Sequence, residues 1–150
     1  MGTFSEQEFM RIQTSRFRHI SYSPQNSLYP KELSKTLKII EKIKSYYELR
    51  GAVFFIVIHP DQSQVENQMK AKLLKKNSWG SQRFVANLPQ KFLIDYCEMN
   101  SIKCLDLLPV MKKKGDDGGL FLLRNTHYNE RGNRVAADAI YEFLLEILNH

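Results

Sequence analysis

The chain predicts an α/β fold, and three observations carry that prediction. An apolar run at residues 52–58 follows directly on an amphipathic helix pattern. A second strand-like run, residues 102–107, follows another helix pattern. A third amphipathic stretch closes the chain. Helices interleaved with strands of this kind make layered α/β structure, because each apolar strand face must be covered by a helix.

Taken in order, residues 1–30 show weak periodicity and predict an N-terminal arm or a weak strand. Phe17 to Tyr22 is the strand candidate, although Arg16, Arg18 and His19 suit it poorly. Ser23, Pro24, Gln25 and Asn26 read as a turn. Pro30 suits a first helical position and Gly51 the residue just past a helix end. Between them Leu33, Leu37, Ile40, Ile43 and Tyr47 share one helical face, with Lys35, Lys38, Lys42 and Glu48 opposite. Residues 52–58 are β-branched and aromatic without alternation, which predicts a strand buried on both faces, as in a parallel sheet. His59-Pro60-Asp61 ends it. One helix is expected over residues 61–76, with Val65, Met69 and Leu73 inward. Residues 77–82, which hold Trp79 and Gly80, read as a polar loop. Asn87 can cap a helix with Pro89 in its first turn and Phe92, Leu93, Tyr96 and Cys97 as its inner stripe. The second strand stops at Pro109, and residues 112–119 read as a Lys/Asp/Gly loop. The last helix spans about residues 130–148, with Val135, Ala139, Ile140, Phe143, Ile147 and Leu148 on its apolar side. Only two strands are strong, too few for a free-standing parallel core.

Composition narrows the classes. The 150 residues include seven Tyr, nine Phe and one Trp, more aromatics than a disordered chain carries. No apolar run approaches the ~20 residues that span a bilayer, and residues after Met1 are too polar for a secretory leader. Net charge is +6, from 22 basic and 16 acidic residues, partly gathered at Lys70 to Lys76 and Lys112 to Lys114. These clusters read as solvated surface; without a nucleic-acid motif they predict no nucleic-acid partner. Cys97 and Cys104 match no zinc spacing and read as reduced structural thiols. No metal or other cofactor is expected.

The chemistry-bearing stretch is Asn125-Thr126-His127-Tyr128-Asn129-Glu130-Arg131-Gly132. A histidine in the loop before a helix is held by rigid backbone yet open to solvent, as a general base requires. A polar residue two or three positions earlier can reach its Nδ1 and set the tautomer. Asn129 can cap the helix, and Gly132 permits close backbone approach.

This block resembles the last motif of the SGNH (GDSL-like) hydrolases: Asp-x-His or Asp-x-x-His, an aromatic or aliphatic residue, Asn, two residues and Gly. Gly51-Ala52 with the strand ending at Pro60 is similar to that family's fourth strand, and Leu105-Asp106-Leu107-Leu108-Pro109 to its fifth. The likeness covers roughly residues 31–148. It implies a partial flavodoxin-like three-layer α/β/α fold lacking the N-terminal strands, with residues 31–150 as the C-terminal half of such a domain. It implies acyl-ester cleavage or acyl transfer by Ser, His and Asp, on an ester or O-acylated small molecule or glycan.

By this match His127 is the base and Asn125 stands at the Asp position of the shorter spacing; Arg124 stands there in the longer one. Neither is a carboxylate. An Asn in a Ser triad can leave the imidazole in the wrong tautomer, at a loss of about 10⁴-fold in turnover. Asp116, Asp117 or a backbone carbonyl are alternative supports. The Gly-Asp-Ser block and oxyanion-hole motifs of the family are absent, and Ser21, Ser23 and Ser27 sit in no nucleophile motif. The nucleophile is therefore expected outside this chain, upstream. His59, His19, His150 and Trp79 read as structural or uninformative. An incomplete sheet further predicts an exposed strand edge and self-association.

Overall fold

The computed structural model describes residues 4–20, 29–76, 87–115 and 119–149. The turn at residues 23–26, the loop with Trp79, the candidates Ser21, Ser23 and Ser27, Asp116, Asp117 and His150 lie outside them. The elements are α1 (Glu6–Ile20), α2 (Tyr29–Glu48), β1 (Phe55–Ile58), α3 (Gln62–Val65), α4 (Asn67–Lys76), α5 (Leu88–Met99), β2 (Lys103–Asp106), α6 (Leu108–Gly115) and α7 (Glu130–Leu148).

Among the described residues the sheet is one parallel pair in the register Phe55↔Lys103, Ile56↔Cys104, Val57↔Leu105 and Ile58↔Asp106. Side chains alternate across it. Phe55 meets Phe143 of α7 edge to face at 5.8 Å. Val57 and Leu105 pack on the core made by Val65, Leu107, Leu108, Met111, Leu120, Phe121 and Ala136. Cys104, on the opposite face, reaches Cys97 of α5, and burial pushes its thiol up to about 12. Helices thus flank both faces of a small parallel sheet, which is a partial α/β fold.

Four expectations need correction. Residues 17–20 are not a strand: they end α1, whose Phe9, Met10 and Phe17 bury against Met69 and Leu73 of α4. Those three residues fall at helical spacing, and their partners lie far along the chain in α4. The helix expected over residues 61–76 is broken at Glu66, whose backbone is extended (φ −95°, ψ 111°). Val65 enters the sheet-side core while Met69 and Leu73 face α1, so the chain must turn between two cores. Residues 112–115 belong to α6, not to a loop. Pro109 starts that helix instead of merely ending the strand, because its missing N–H falls in the first turn, where donors lack intrahelical partners. Asp106 Oδ1 accepts from Leu108 N at 2.9 Å and steadies the entry.

Finally, β1 is not buried on both faces. Phe55, Ile56 and Val57 are half-buried and only Ile58 is buried. On α2, Leu33, Leu37 and Ile40 are half-buried while Ile43 and Tyr47 stay exposed. Helix α2 meets α5, where Tyr96 Oη donates to Leu37 O at 3.4 Å. The expected bounds of α2 and α7 agree with the structure, and Gly51 has the positive φ (+74°) anticipated past a helix end.

Candidate functional site

Residues 119–129 form a tight hairpin leading into α7. Phe121 and Tyr128 are bridged antiparallel. Leu122 N donates to His127 O at 3.0 Å, and Asn125 N to Leu122 O at 3.2 Å. Arg124 takes a left-handed conformation (φ +49°) to close the turn. Asn129 then clamps the base of the hairpin. Its Oδ1 accepts from Gly132 N at 2.9 Å and caps α7, while its Nδ2 donates to Gly119 O at 2.9 Å and Phe121 O at 3.3 Å. Gly132 lies so close to the Leu120 carbonyl that a Cβ there would overlap it. The capping role of Asn129 and the close approach at Gly132 are thus both realised.

The hairpin presents His127, whose ring is exposed. Asn125 Oδ1 accepts from His127 N at 3.1 Å and lies 2.7 Å from His127 Nδ1. These two contacts decide the tautomer. A backbone N–H can donate only to the amide oxygen, so the atom facing the ring is Oδ1, an acceptor. Nδ1 must then carry the proton, which leaves the Nε2 lone pair free and pointing away from Asn125. An Asn125 placed this way accepts from an Nδ1–H, the opposite arrangement to the wrong-tautomer expectation. What the amide does not supply is a full negative charge to stabilise imidazolium. Among the described residues it is Asn125, not Arg124 or a backbone carbonyl, that lies against Nδ1.

His127 opens on a cleft of about 690 Å³. Ile58, His59, Pro60 and Asp61 from the C-terminal end of β1 line it, along with Arg16, Gln64, Gln90, Tyr128 and Asn133. It therefore lies at the carboxyl rim of the parallel strands, where open α/β sheets hold ligands. Tyr128 is wedged between Phe121 (5.0 Å) and His59 (5.9 Å). Its hydroxyl is buried with no hydrogen-bond partner among the described residues. Burial, with a smaller push from the Asp61 carboxylate, raises it to about 12, so it stays a neutral donor. The Asp61 side chain is only 7% exposed and is fully used. It caps α3 through Ser63 N at 2.9 Å, accepts from Ser63 Oγ at 2.7 Å and pairs with Arg16 at 3.5 Å. Ser63 thereby spends both its backbone N–H and its hydroxyl on the Asp61 cap.

Sequence reasoning missed Arg16, Asp61, Gln64 and Gln90 as neighbours of His127. Asp61-Gln-Ser-Gln64 carries a capping-box spacing that would have marked the start of α3. Arg16 and Gln90 carry no signal of their own. His59, read as structural, shares the cleft. Among the described residues no cluster of His, Cys, Asp and Glu could hold a metal ion.

Comparison with curated proteins and with solved structures found no match. A family model described as an SGNH hydrolase-like domain, acetyltransferase AlgX, matches residues 17–148, which takes in the C-terminal end of α1 and every later element. With the hairpin histidine, its amide partner and the rim cleft in place, the chain belongs to this SGNH hydrolase-like domain family.

Proposed function

We propose that this chain is the C-terminal portion of an SGNH-type acyl-ester hydrolase or O-acyltransferase. His127 acts as its general base, Asn125 holds that base, and a serine outside this chain is the nucleophile. The observation that carries the reading is the 2.7 Å contact between Asn125 Oδ1 and His127 Nδ1, which leaves Nε2 basic over a cleft at the strand tips. In the cycle His127 Nε2 takes the seryl proton as the hydroxyl attacks the ester carbonyl, then returns it to the leaving alkoxide. The family description points to acetyl as the group moved, from or to an O-acylated small molecule or glycan. The two-stranded sheet supports the view that further strands come from elsewhere. It also leaves edges through which the chain would self-associate, which light scattering at high concentration tests: a clean monomer counts against this part.

The absence of a carboxylate at Asn125 favours a second reading, a non-catalytic relative that keeps the cleft for binding. p-Nitrophenyl acetate hydrolysis separates the two. This chain alone should show no saturable turnover, and turnover by the full-length protein should vanish in His127→Ala. Saturable activity in this chain that depends on His127 refutes the external serine. In the full-length protein Asn125→Asp distinguishes the rest: a large gain marks a lapsed enzyme, while existing activity left unchanged marks an Asn-supported dyad.

A further inference from the structure

Gln64 and Gln90 line the His127 cleft, yet they are only 5% and 3% exposed. Primary amides are buried when their hydrogen bonds are met. Here they meet each other. Gln64 Nε2 donates to Gln90 Oε1 at 2.9 Å, and Gln90 Nε2 donates to Gln64 Oε1 at 3.1 Å. Asp61 N also donates to Gln64 Oε1 at 2.8 Å. Since a backbone N–H donates only to oxygen, this bond settles which end of Gln64 is which, and the reciprocal pair settles Gln90 in turn. A primary amide nitrogen has two hydrogens. One on Gln90 goes to Gln64; the other has no partner among the described residues.

The cleft thus holds a rigid, uncharged donor. Its nearby full charges, Arg16 and Asp61, already pair with each other. That combination suits an uncharged ligand with a strong acceptor oxygen. A donor held in place before reaction is also what a carbonyl oxygen needs when attack makes it negative. We propose that Gln90, braced by Gln64, positions the acyl carbonyl of an uncharged ester beside His127 by donating its second Nε2–H to the carbonyl oxygen. The proposal rests on the reading of His127 as the base.

Titration of the whole chain with triacetin, and with glycerol as its deacylated counterpart, tests it by side-chain amide NMR. Triacetin should move the Gln90 NH₂ signals saturably and glycerol should not, and His127→Ala should keep that response. Gln90→Glu keeps the acceptor for Gln64 but removes the donor, and should weaken triacetin binding by about tenfold, one hydrogen bond's worth. The Gln64→Leu/Gln90→Leu pair, which replaces both amides with apolar groups of similar size, should do the same with its helical circular dichroism unchanged. Gln90 signals that stay still, or that move equally with glycerol, overturn the proposal. A Gln90 response that persists while His127→Ala leaves ester turnover intact in the full-length protein sinks the base reading alone.

Discussion

Gly132 is where sequence rules and tertiary structure give opposite answers, and Gly132→Ala tells them apart. The residue sits in the first turn of α7, where helix propensity alone predicts a gain of about 1 kcal/mol from alanine. In the folded protein the new Cβ would overlap the Leu120 carbonyl oxygen, lie 3.1 Å from the Leu120 carbonyl carbon and lie 3.0 Å from Tyr128 Cβ. These neighbours are main chain and a β-carbon, so neither can swing aside. Relief requires residues 119–121 to move away from α7. That movement loosens the bonds from Asn129 N to Leu120 O (3.0 Å) and from Asn129 Nδ2 to Gly119 O and Phe121 O. It also opens the site of Leu120, which is 0% exposed. Overpacking costs about 1–3 kcal/mol and each lost hydrogen bond about 0.5–1.5 kcal/mol. Set against the propensity gain, the net loss is roughly 3 kcal/mol. For a chain of this size that lowers the melting temperature by about 6–12 °C. Urea denaturation should show a lower midpoint at an unchanged slope. The same movement displaces the hairpin that presents His127, so any His127-dependent turnover should fall with stability. A variant as stable as the parent would refute the packing argument.

Three other outcomes follow from the same geometry. Asn125→Ala should abolish the preference for a proton on Nδ1 of neutral His127, read from the ring ¹⁵N shifts, while stability changes by less than about 1 kcal/mol because the bonds are exposed; an unchanged tautomer would mean another group sets it. Tyr128→Phe removes a buried hydroxyl that has no partner among the described residues and should stabilise by roughly 1 kcal/mol at neutral pH. Because folding raises this hydroxyl from 10 to about 12, the native state holds its proton more tightly than the unfolded chain: the parent protein keeps its full stability below pH 10 and loses stability as pH rises from 10 through 12, a loss to which Cys104 adds. Tyr128→Phe should therefore flatten the alkaline fall of the denaturation midpoint, and an identical fall in both proteins would contradict the burial of the hydroxyl. Ser101 holds a left-handed φ of +53° just past α5, where Ile102 N bonds Cys97 O at 2.8 Å and Ser101 N bonds Glu98 O at 3.3 Å. Ser101→Gly should raise stability by about 0.5–1 kcal/mol in thermal melts, and no gain would mean the strain is relieved elsewhere.

Local chemistry was legible where it acts through neighbours in the chain. The bounds of α2 and α7, the cap at Asn129, the reach from Asn125 to His127 and the two apolar strands all depend on spacings of a few residues. Each was readable because helix periodicity, capping and turn closure are short-range. Errors arose where distant segments compete for the same side chains. Phe9 and Phe17 look like an arm until α4 covers them. The stretch 61–76 looks like one helix until two cores claim opposite ends of it. Pro109 looks like a stop until the chain turns directly into α6.

The amino-acid order by itself determined that a histidine would stand at the start of the terminal helix with an amide two residues before it, since the hairpin and its cap close within eleven residues. Only tertiary structure decided what that histidine faces. Arg16, Asp61, Gln64 and Gln90 come from α1, the β1–α3 junction, α3 and α5, and they converge because burying α1 on α4 and α3 on the sheet leaves them around one opening. Burial is a property of the assembled layers, so no local pattern announces it.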